Sequence, residues 1–299
     1  MPNLRRRDAA GGKAHKFVSA TRDHCRPRPA PCKVAVTYST WGAAGLAQGP
    51  VERGNGAASG SAGSAAAGAV GGERVLCRED FCDEWVAEIT ARAARLGVYT
   101  MLSPEEREAS RQSFLAAIPP GSDTWVFGYG SLMWNPAIHV AETRPGVIHG
   151  YHRWFSLTMM MGRGTPECPG LMLVLDRGGS CRGLAHRIAA ETVESELRIL
   201  WMREMLGGAY RPRWVTVRTA SGPLQAITFV ANPSHPRYCG KLPHDAVIDR
   251  IARAAGTLGT NRYYLFKLVE HLDMLGIADG PLHELARRVR EKAGEAAAG

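Results

Sequence analysis

Six consecutive residues near the middle of the chain combine the residue types that a backbone anion site needs. They are Val126, Phe127, Gly128, Tyr129, Gly130 and Ser131. The two glycines let the chain turn sharply after a strand and bring its amides close to a ligand. Successive N–H groups in such a turn form a concavity that suits a carboxylate. A plain hairpin turn explains the same spacing without any chemistry, so the run alone leaves both interpretations open.

This run does not fit two better-known motifs. A dinucleotide-binding fingerprint needs a third glycine and a surrounding βαβ unit, and both are missing here. A serine-hydrolase elbow needs its serine in a G-x-S-x-G frame, and Ser131 is not in one. Neither a dinucleotide site nor a serine hydrolase is therefore predicted.

A glutamate at the end of a predicted helix is a candidate for acid–base chemistry. The helix spans about 192–205, and Glu204 lies in its last turn, just before Gly207–Gly208. A carboxylate there faces the negative end of the helix dipole, and aromatic neighbours would exclude water, so both effects raise its pKa. Such a carboxyl suits a general acid and base near neutral pH. The alternative is an exposed helix-end glutamate paired with Arg203 or Arg211.

A loop rich in glycine and proline, residues 162–170, offers a second set of chemical groups. Arg163 in this loop could pair with a ligand carboxylate through two parallel hydrogen bonds. Glu167 is the chief rival of Glu204 for the role of catalytic carboxyl. A tight surface loop with no chemistry is the competing interpretation.

The cysteines and histidines show no metal-binding pattern. No C-x-x-C pair occurs, and no pair of histidines has a spacing such as H-E-x-x-H. Seven cysteines at irregular spacing indicate reduced thiols in a cytoplasmic protein. We therefore predict no metal site. The cysteines are Cys25, Cys32, Cys77, Cys82, Cys168, Cys181 and Cys239.

Most of the formal net charge of +9 belongs to the first 72 residues. They carry ten Lys/Arg and three Asp/Glu, a net of +7, whereas residues 73–299 carry 27 and 25, a net of +2. Residues 54–72 are nearly all Gly, Ala and Ser, a composition typical of flexible chain. We predict that residues 1–72 are a disordered basic tail rich in Gly, Ala, Ser and Pro.

Three interpretations of this tail compete. It is a nucleic-acid-binding arm, an Arg-rich targeting segment, or sequence upstream of a misassigned start codon, with Met101 as a candidate start. We favour the misassigned start or a dispensable tail, and expect no nucleic-acid partner. No apolar region follows Arg5–Arg7, which argues against a secretory signal. No run of about 18 apolar residues occurs, so no membrane span or membrane partner is predicted.

Helices and strands alternate irregularly along the rest of the chain. This order predicts a compact α+β domain with an antiparallel or mixed sheet and argues against regular βαβ winding. We assign residues 73–121 to a helical lead-in and 122–295 to the main domain. Predicted helices are 84–96, 103–117, 192–205, 245–255, 260–275 and 281–292. Predicted strands are 124–127, 145–157, 170–176, 181–188, 213–218 and 224–231, with breaks at 162–166 and 177–179.

Five motifs in order resemble the ChaC family, the glutathione-specific γ-glutamylcyclotransferases. The resemblance covers Trp125 to Val289, which is nearly all of the predicted domain. The motifs are WVFGYGSLMW (125–134), RGTPECPG (163–170), WMREMLGGAYRPRWV (201–215), YCGKLP (238–243) and NRYYLFKL (261–268).

This resemblance implies a γ-glutamylcyclotransferase-like α+β fold with a small barrel-like mixed sheet and flanking helices. It implies that Val126–Ser131 bind the γ-glutamyl group, that Glu204 is catalytic, and that Glu167 is a loop residue. The implied substrate is glutathione, and the implied products are 5-oxoproline and cysteinylglycine, formed without metal or cofactor.

Two alternatives to this function stay open. The same fold could act on other γ-glutamyl amines or peptides. The chain could instead be a non-catalytic binding module whose basic tail grips nucleic acid, although Phe17, Tyr38 and Trp41 are the tail's few aromatic residues.

Overall fold

A computed structural model describes residues 73–294. The predicted basic tail, residues 1–72, lies outside the described residues, as do residues 295–299. Within the described residues, no helix is long and apolar enough to cross a membrane.

The centre of the fold is a closed barrel of five strands in the order β1-β3-β2-β4-β5. All neighbouring strands are antiparallel except β1 and β5, which run parallel and pair at Val126 and Ile227. The prediction of an α+β fold with a small mixed, barrel-like sheet is therefore confirmed. The strands are β1 (Thr124–Gly128), β2 (Glu142–Met159), β3 (Gly170–Ile188), β4 (Tyr210–Thr219) and β5 (Gly222–Ala231).

One strand prediction was wrong. Residues 177–179, an arginine and two glycines, were expected to separate two strands, but β3 is a single strand. Gly178 and Gly179 adopt φ of 97° and 73°, and the β2–β3 ladder shifts register between His149 and Tyr151 on the facing strand. The glycines therefore bend the ladder through a bulge and do not end it.

Six helices of the described residues flank the barrel, and two of them begin with a side-chain cap. The start of α2 is an example: the Ser103 hydroxyl accepts the Glu106 amide at 3.1 Å, and the Glu106 carboxylate accepts the Ser103 amide at 2.8 Å. The helices are α1 (Asp83–Leu96), α2 (Pro104–Leu115), α3 (Val193–Glu204), α4 (His244–Arg253), α5 (Asn261–Met274) and α6 (Gly280–Ala293).

Helix α4 ends two residues before the predicted boundary at 255. The chain there enters a hairpin of two short strands, β6 (Ala255–Gly256) and β7 (Gly259–Thr260). Strands of two residues leave no alternation in the sequence, so periodicity cannot reveal them. Single 3-10 turns lie at Arg78–Asp80, Ser131–Met133 and Ala190–Thr192.

Two apolar clusters fix the helices that matter for the site. Leu265 and Leu268 of α5 are fully buried in a cluster with barrel residues such as Phe155. Leu197 and Leu200 of α3 are fully buried in a second cluster. Because each fully buried leucine contributes about 1.5–3 kcal/mol, these contacts anchor α3 and α5 against the barrel.

Candidate active site

The turn after β1 has free backbone donors. The carbonyls of Gly130 and Ser131 accept the amides of Met133 and Asn135, each at 2.8 Å. Among residues 73–294, the hydrogen bonds include none donated by the backbone amides of Tyr129, Gly130 or Ser131. Three successive free N–H groups suit an anionic ligand group.

Both glycines of this turn have little space for a side chain. A Cβ on Gly128 would lie 2.9 Å from the Cβ of Leu132, and a Cβ on Gly130 would lie 3.0 Å from the Tyr264 hydroxyl and 3.2 Å from Leu173. Neither glycine has a positive φ, so the requirement is steric and not conformational. A side chain at Gly130 would collide with the group that faces the turn.

Two buried side chains hold the turn from the barrel side. The Tyr129 hydroxyl donates to the Phe229 carbonyl at 2.9 Å, and Arg153 donates to the Tyr129 carbonyl at 2.8 Å. Arg153 also lies 3.4 Å from the Asp279 carboxylate. Burial raises the pKa of Tyr129 well above its ordinary value, so this phenol stays neutral and acts as a donor.

A buried histidine holds the next residue of the turn. His186 Nε2 donates to the Leu132 carbonyl at 3.0 Å, and its Nδ1 accepts from the Thr143 hydroxyl at 3.0 Å. Burial lowers the pKa of His186 to about 4. The ring is therefore neutral at physiological pH, and its hydrogen bond holds the backbone at Leu132 in place.

Glu204 is the last residue of α3, and its side chain is only 15% exposed. Burial raises the pKa of the Glu204 carboxyl, and the neighbouring guanidinium of Arg203 opposes that rise from 3.0 Å. The alternative of an exposed helix-end glutamate was therefore wrong about exposure but right about the pairing with Arg203.

Arg203 connects Glu204 to the turn. Its Nη2 donates to the Ser131 hydroxyl at 2.9 Å, and its Nη1 donates to the Asn135 carbonyl at 2.6 Å. Its Nε faces the Glu204 carboxylate. One guanidinium therefore brings together the two parts of the site that the sequence analysis predicted separately.

The charge of Glu204 acts on three tyrosines. Burial, and then the charge of Glu204, raise the pKa values of Tyr210 and Tyr264, the latter to about 12. The same charge adds to the effect of burial on Tyr129. The Tyr264 hydroxyl lies beside the turn, because a Cβ on Gly130 would be 3.0 Å from it. Tyr264 was not predicted as a site residue, although it lies in the NRYYLFKL motif.

The two loop residues considered as alternatives differ in their surroundings. Glu167 is exposed on its loop. Arg163 is buried, and its Nη1 donates to the Glu73 carboxylate and the Thr260 carbonyl, each at 2.9 Å. Its guanidinium therefore holds the start of the described chain.

A cleft of about 980 Å³ lies between α1, α2 and α3, and Phe81 is among its lining residues. Ion pairs line it: Asp83 with Arg198 at 2.8 Å and Glu108 with Arg111 at 2.7 Å. Glu204 and the turn after β1 do not contribute to its lining. We therefore place the candidate chemistry at Glu204, a mostly buried carboxyl that Arg203 joins to the turn after β1.

The remaining polar groups of residues 73–294 show no metal cluster. No three His, Cys, Asp or Glu side chains there lie close enough together to hold an ion. The five cysteines in that part of the chain form no disulfide.

Comparison with known proteins gives consistent matches. A family model described as ChaC-like protein matches residues 124–292. An Escherichia coli K12 protein named glutathione-specific gamma-glutamylcyclotransferase is 43% identical over 190 residues, covering 63% of this chain and 82% of its own length. A Schizosaccharomyces pombe protein of the same name is 30% identical over 202 residues, covering 60% of this chain and 98% of its own.

A solved structure confirms the fold. The yeast γ-glutamylcyclotransferase specific to glutathione is 24% identical, with a TM-score of 0.52 over 57% of this chain and 96% of its own. The family match spans more than half of the chain and includes both the turn after β1 and Glu204. The chain therefore belongs to the ChaC-like family.

Proposed function

We propose that this protein is a glutathione-specific γ-glutamylcyclotransferase. The observation that carries the proposal is the buried Glu204 carboxyl, joined through Arg203 to a turn with three free amides. The names of the E. coli and S. pombe relatives support glutathione as the substrate.

The proposed reaction is an intramolecular transfer. The α-amine of the γ-glutamyl group attacks its own γ-carbonyl, so a C–N bond forms and closes a five-membered lactam. The amide bond to the cysteine nitrogen breaks. The products are 5-oxoproline and cysteinylglycine, and their atoms sum to those of glutathione, so the step needs no water, oxidant or other reactant.

Glu204 moves the protons in this scheme. Its carboxylate takes a proton from the substrate ammonium or the attacking amine, and the resulting acid delivers a proton to the leaving nitrogen. A carboxyl whose pKa is raised by burial is closer to neutral pH and therefore exchanges protons more effectively in both directions.

The turn after β1 holds the substrate in the folded shape that the reaction needs. The free amides of Tyr129, Gly130 and Ser131 bind the α-carboxylate of the γ-glutamyl group, and they also stabilise negative charge on the carbonyl oxygen as the ring closes. Holding the amine near the carbonyl supplies much of the rate, because the two groups meet in near-attack geometry.

We also assign this activity to the cytoplasm, as a step that forms 5-oxoproline in glutathione breakdown. The five described cysteines are unpaired, which fits a reducing compartment. The nearly neutral body, net +2 over residues 73–299, favours a small-molecule substrate over nucleic acid as the partner of the folded domain.

The experiment that tests the substrate is a comparison of γ-glutamyl compounds. The purified protein is incubated with glutathione, γ-glutamylcysteine and other γ-glutamyl dipeptides, and the release of 5-oxoproline is measured. Glutathione is expected to give the highest kcat/KM. A higher value with another γ-glutamyl compound would assign the chain to the alternative substrate class, and no release from any of them would overturn the proposed activity.

A further inference from the structure

Residues 73–81, here called the N-terminal strap, precede the residues that the family model matches, yet they contact both sides of the candidate site. At one end, the Glu73 carboxylate accepts the Thr260 amide at 3.0 Å and the Thr260 hydroxyl at 2.7 Å. Thr260 caps α5, the helix that carries Tyr264. The same carboxylate pairs with Arg163.

The middle of the strap is hydrogen-bonded to the loop that follows the turn, at Asn135 and Ala137. The Asn135 side chain donates to the Leu76 carbonyl at 2.6 Å. Arg78 makes a two-pronged ion pair with Glu196 of α3, whose side chain is 1% exposed. Arg78 also donates to the Ala137 carbonyl at 3.3 Å. Burial makes such a pair costly to break from one side, because the other charge would stay uncompensated.

The far end of the strap contacts the guanidinium that faces the catalytic candidate. The ring of Phe81 is 7% exposed and lies 5.6 Å from the guanidinium carbon of Arg203. Asn135 contacts both elements, since its side chain donates to the strap and its carbonyl accepts from Arg203. One face of the Arg203 guanidinium therefore lies against Phe81. Its nitrogen atoms contact Ser131, Asn135 and Glu204.

We propose that the N-terminal strap is a positioning element of the active site, in which Phe81 fixes the Arg203 guanidinium and thereby the Glu204 carboxylate. Phe81 does not touch the reacting atoms and acts through Arg203. This inference rests on the proposed function, because it assigns the strap a role in the reaction at Glu204.

The charged surroundings of Glu204 give the proposal a specific signature. Arg203 on α3 is the cation that favours its carboxylate form, and burial opposes it. The other titratable groups that face it are the phenols of Tyr129, Tyr210 and Tyr264, which are neutral. If Arg203 were less well fixed, its charge would lower the pKa of Glu204 less. The effect of burial would then dominate, and the pKa of Glu204 would rise further.

The test compares Phe81→Leu, which keeps an apolar side chain but removes the aromatic face, with Phe81→Tyr, which keeps the ring. Phe81→Leu is expected to lower kcat for glutathione by about five- to tenfold, with KM changed less than about twofold. The acid limb of kcat/KM should move to higher pH by about half a unit. Phe81→Tyr should keep the wild-type kcat and the wild-type position of the acid limb.

The matched control is Phe114→Leu. Phe114 packs against Trp201 of α3 at 5.5 Å between ring centroids and against Trp214 at 5.8 Å. The control therefore removes a ring that packs on the same helix, but it has no contact with Arg203. Phe114→Leu should lower thermal stability and leave the pH profile of kcat/KM unchanged.

Asn135→Ala is the second test variant, and it serves if Phe81→Leu folds poorly. It removes the hydrogen bond from the Asn135 side chain to the Leu76 carbonyl and should give the same pH profile as Phe81→Leu.

A Phe81→Leu or Asn135→Ala protein with a wild-type pH profile, or an equal shift in Phe114→Leu, would overturn the strap proposal. These outcomes are distinct from failure of the proposed function, in which the wild-type protein itself releases no 5-oxoproline from glutathione.

Discussion

Glu204 and Ser131 are bridged by a single side chain, the guanidinium of Arg203, which lies 3.0 Å from the carboxylate and donates to the hydroxyl at 2.9 Å. Because one cation contacts both groups, the carboxyl and the turn with free amides form one site. The charge of Arg203 also limits how far burial raises the pKa of Glu204.

The pH dependence of the reaction should reflect the raised pKa of Glu204. Glu204 must be ionised to accept a proton, so kcat/KM should rise with pH through the raised pKa of Glu204. We expect the half-maximal point on the acid side to lie above the ordinary glutamate value of about 4.3. A profile of kcat/KM for glutathione that stays flat from pH 7 down to the ordinary value would contradict this assignment.

Gly130→Ala should impair substrate binding. The new methyl group would lie 3.0 Å from the Tyr264 hydroxyl and 3.2 Å from Leu173, so these side chains or the turn that carries the free amides must shift. We expect KM for glutathione to rise about tenfold or more, the equivalent of about 1.4 kcal/mol of binding. Steady-state kinetics measure the change.

The control for that substitution is Gly280→Ala at the start of α6. A Cβ at Gly280 would meet no atom within 4 Å, so KM should stay at the wild-type value. If Gly130→Ala also left KM unchanged, the turn would not be the binding element.

Arg163→Ala should separate structure from substrate binding. Arg163 holds Glu73 and Thr260, so its loss should lower the free energy of unfolding by about 1–3 kcal/mol. We expect a lower kcat through the loosened strap, with KM for glutathione within about twofold. A large rise in KM for glutathione without a lower free energy of unfolding would instead indicate that Arg163 binds the ligand.

His186 should make stability depend on pH in the mildly acidic range. The folded protein keeps this ring neutral with a pKa of about 4, whereas the unfolded chain binds the proton near the ordinary value of 6.5. Falling pH therefore favours unfolding, and up to about 3 kcal/mol is lost between pH 6.5 and 4.

His186→Gln provides the comparison for this effect. Glutamine still offers an N–H to the Leu132 carbonyl but does not titrate. Denaturant unfolding at several pH values should show a smaller loss of stability below pH 6.5 than in the wild type. Parallel curves for the two proteins would show that His186 is not the titrating group.

The sequence predicted the elements of the fold because their local signals agree with their packing. The helix predicted from residue 103 begins at Pro104, and the helix predicted to end just before Gly207–Gly208 ends at Glu204. The break expected in β3 failed because Gly178 and Gly179 adopt positive φ within a continuous ladder. Whether glycines end a strand or bend it is decided by the facing strand, which local sequence does not contain.

The site was predicted in separate parts for a similar reason. The turn and Glu204 each carry a local signal, but the bridge between them joins residues 72 positions apart. Tyr264 reaches the turn from α5, and its role depends on how that helix packs on the barrel. Such contacts are set by tertiary packing and are invisible to spacing rules.

Replacement of Glu204 by glutamine tests the central claim most directly. The amide keeps the shape of the carboxyl but accepts no proton, so Glu204→Gln should reduce release of 5-oxoproline from glutathione by about a hundredfold or more, while thermal unfolding shows an intact fold. Glu167→Gln, at the exposed loop glutamate, is the matched control and should keep wild-type activity. Near-wild-type turnover by Glu204→Gln, or loss of turnover in Glu167→Gln alone, would contradict the account.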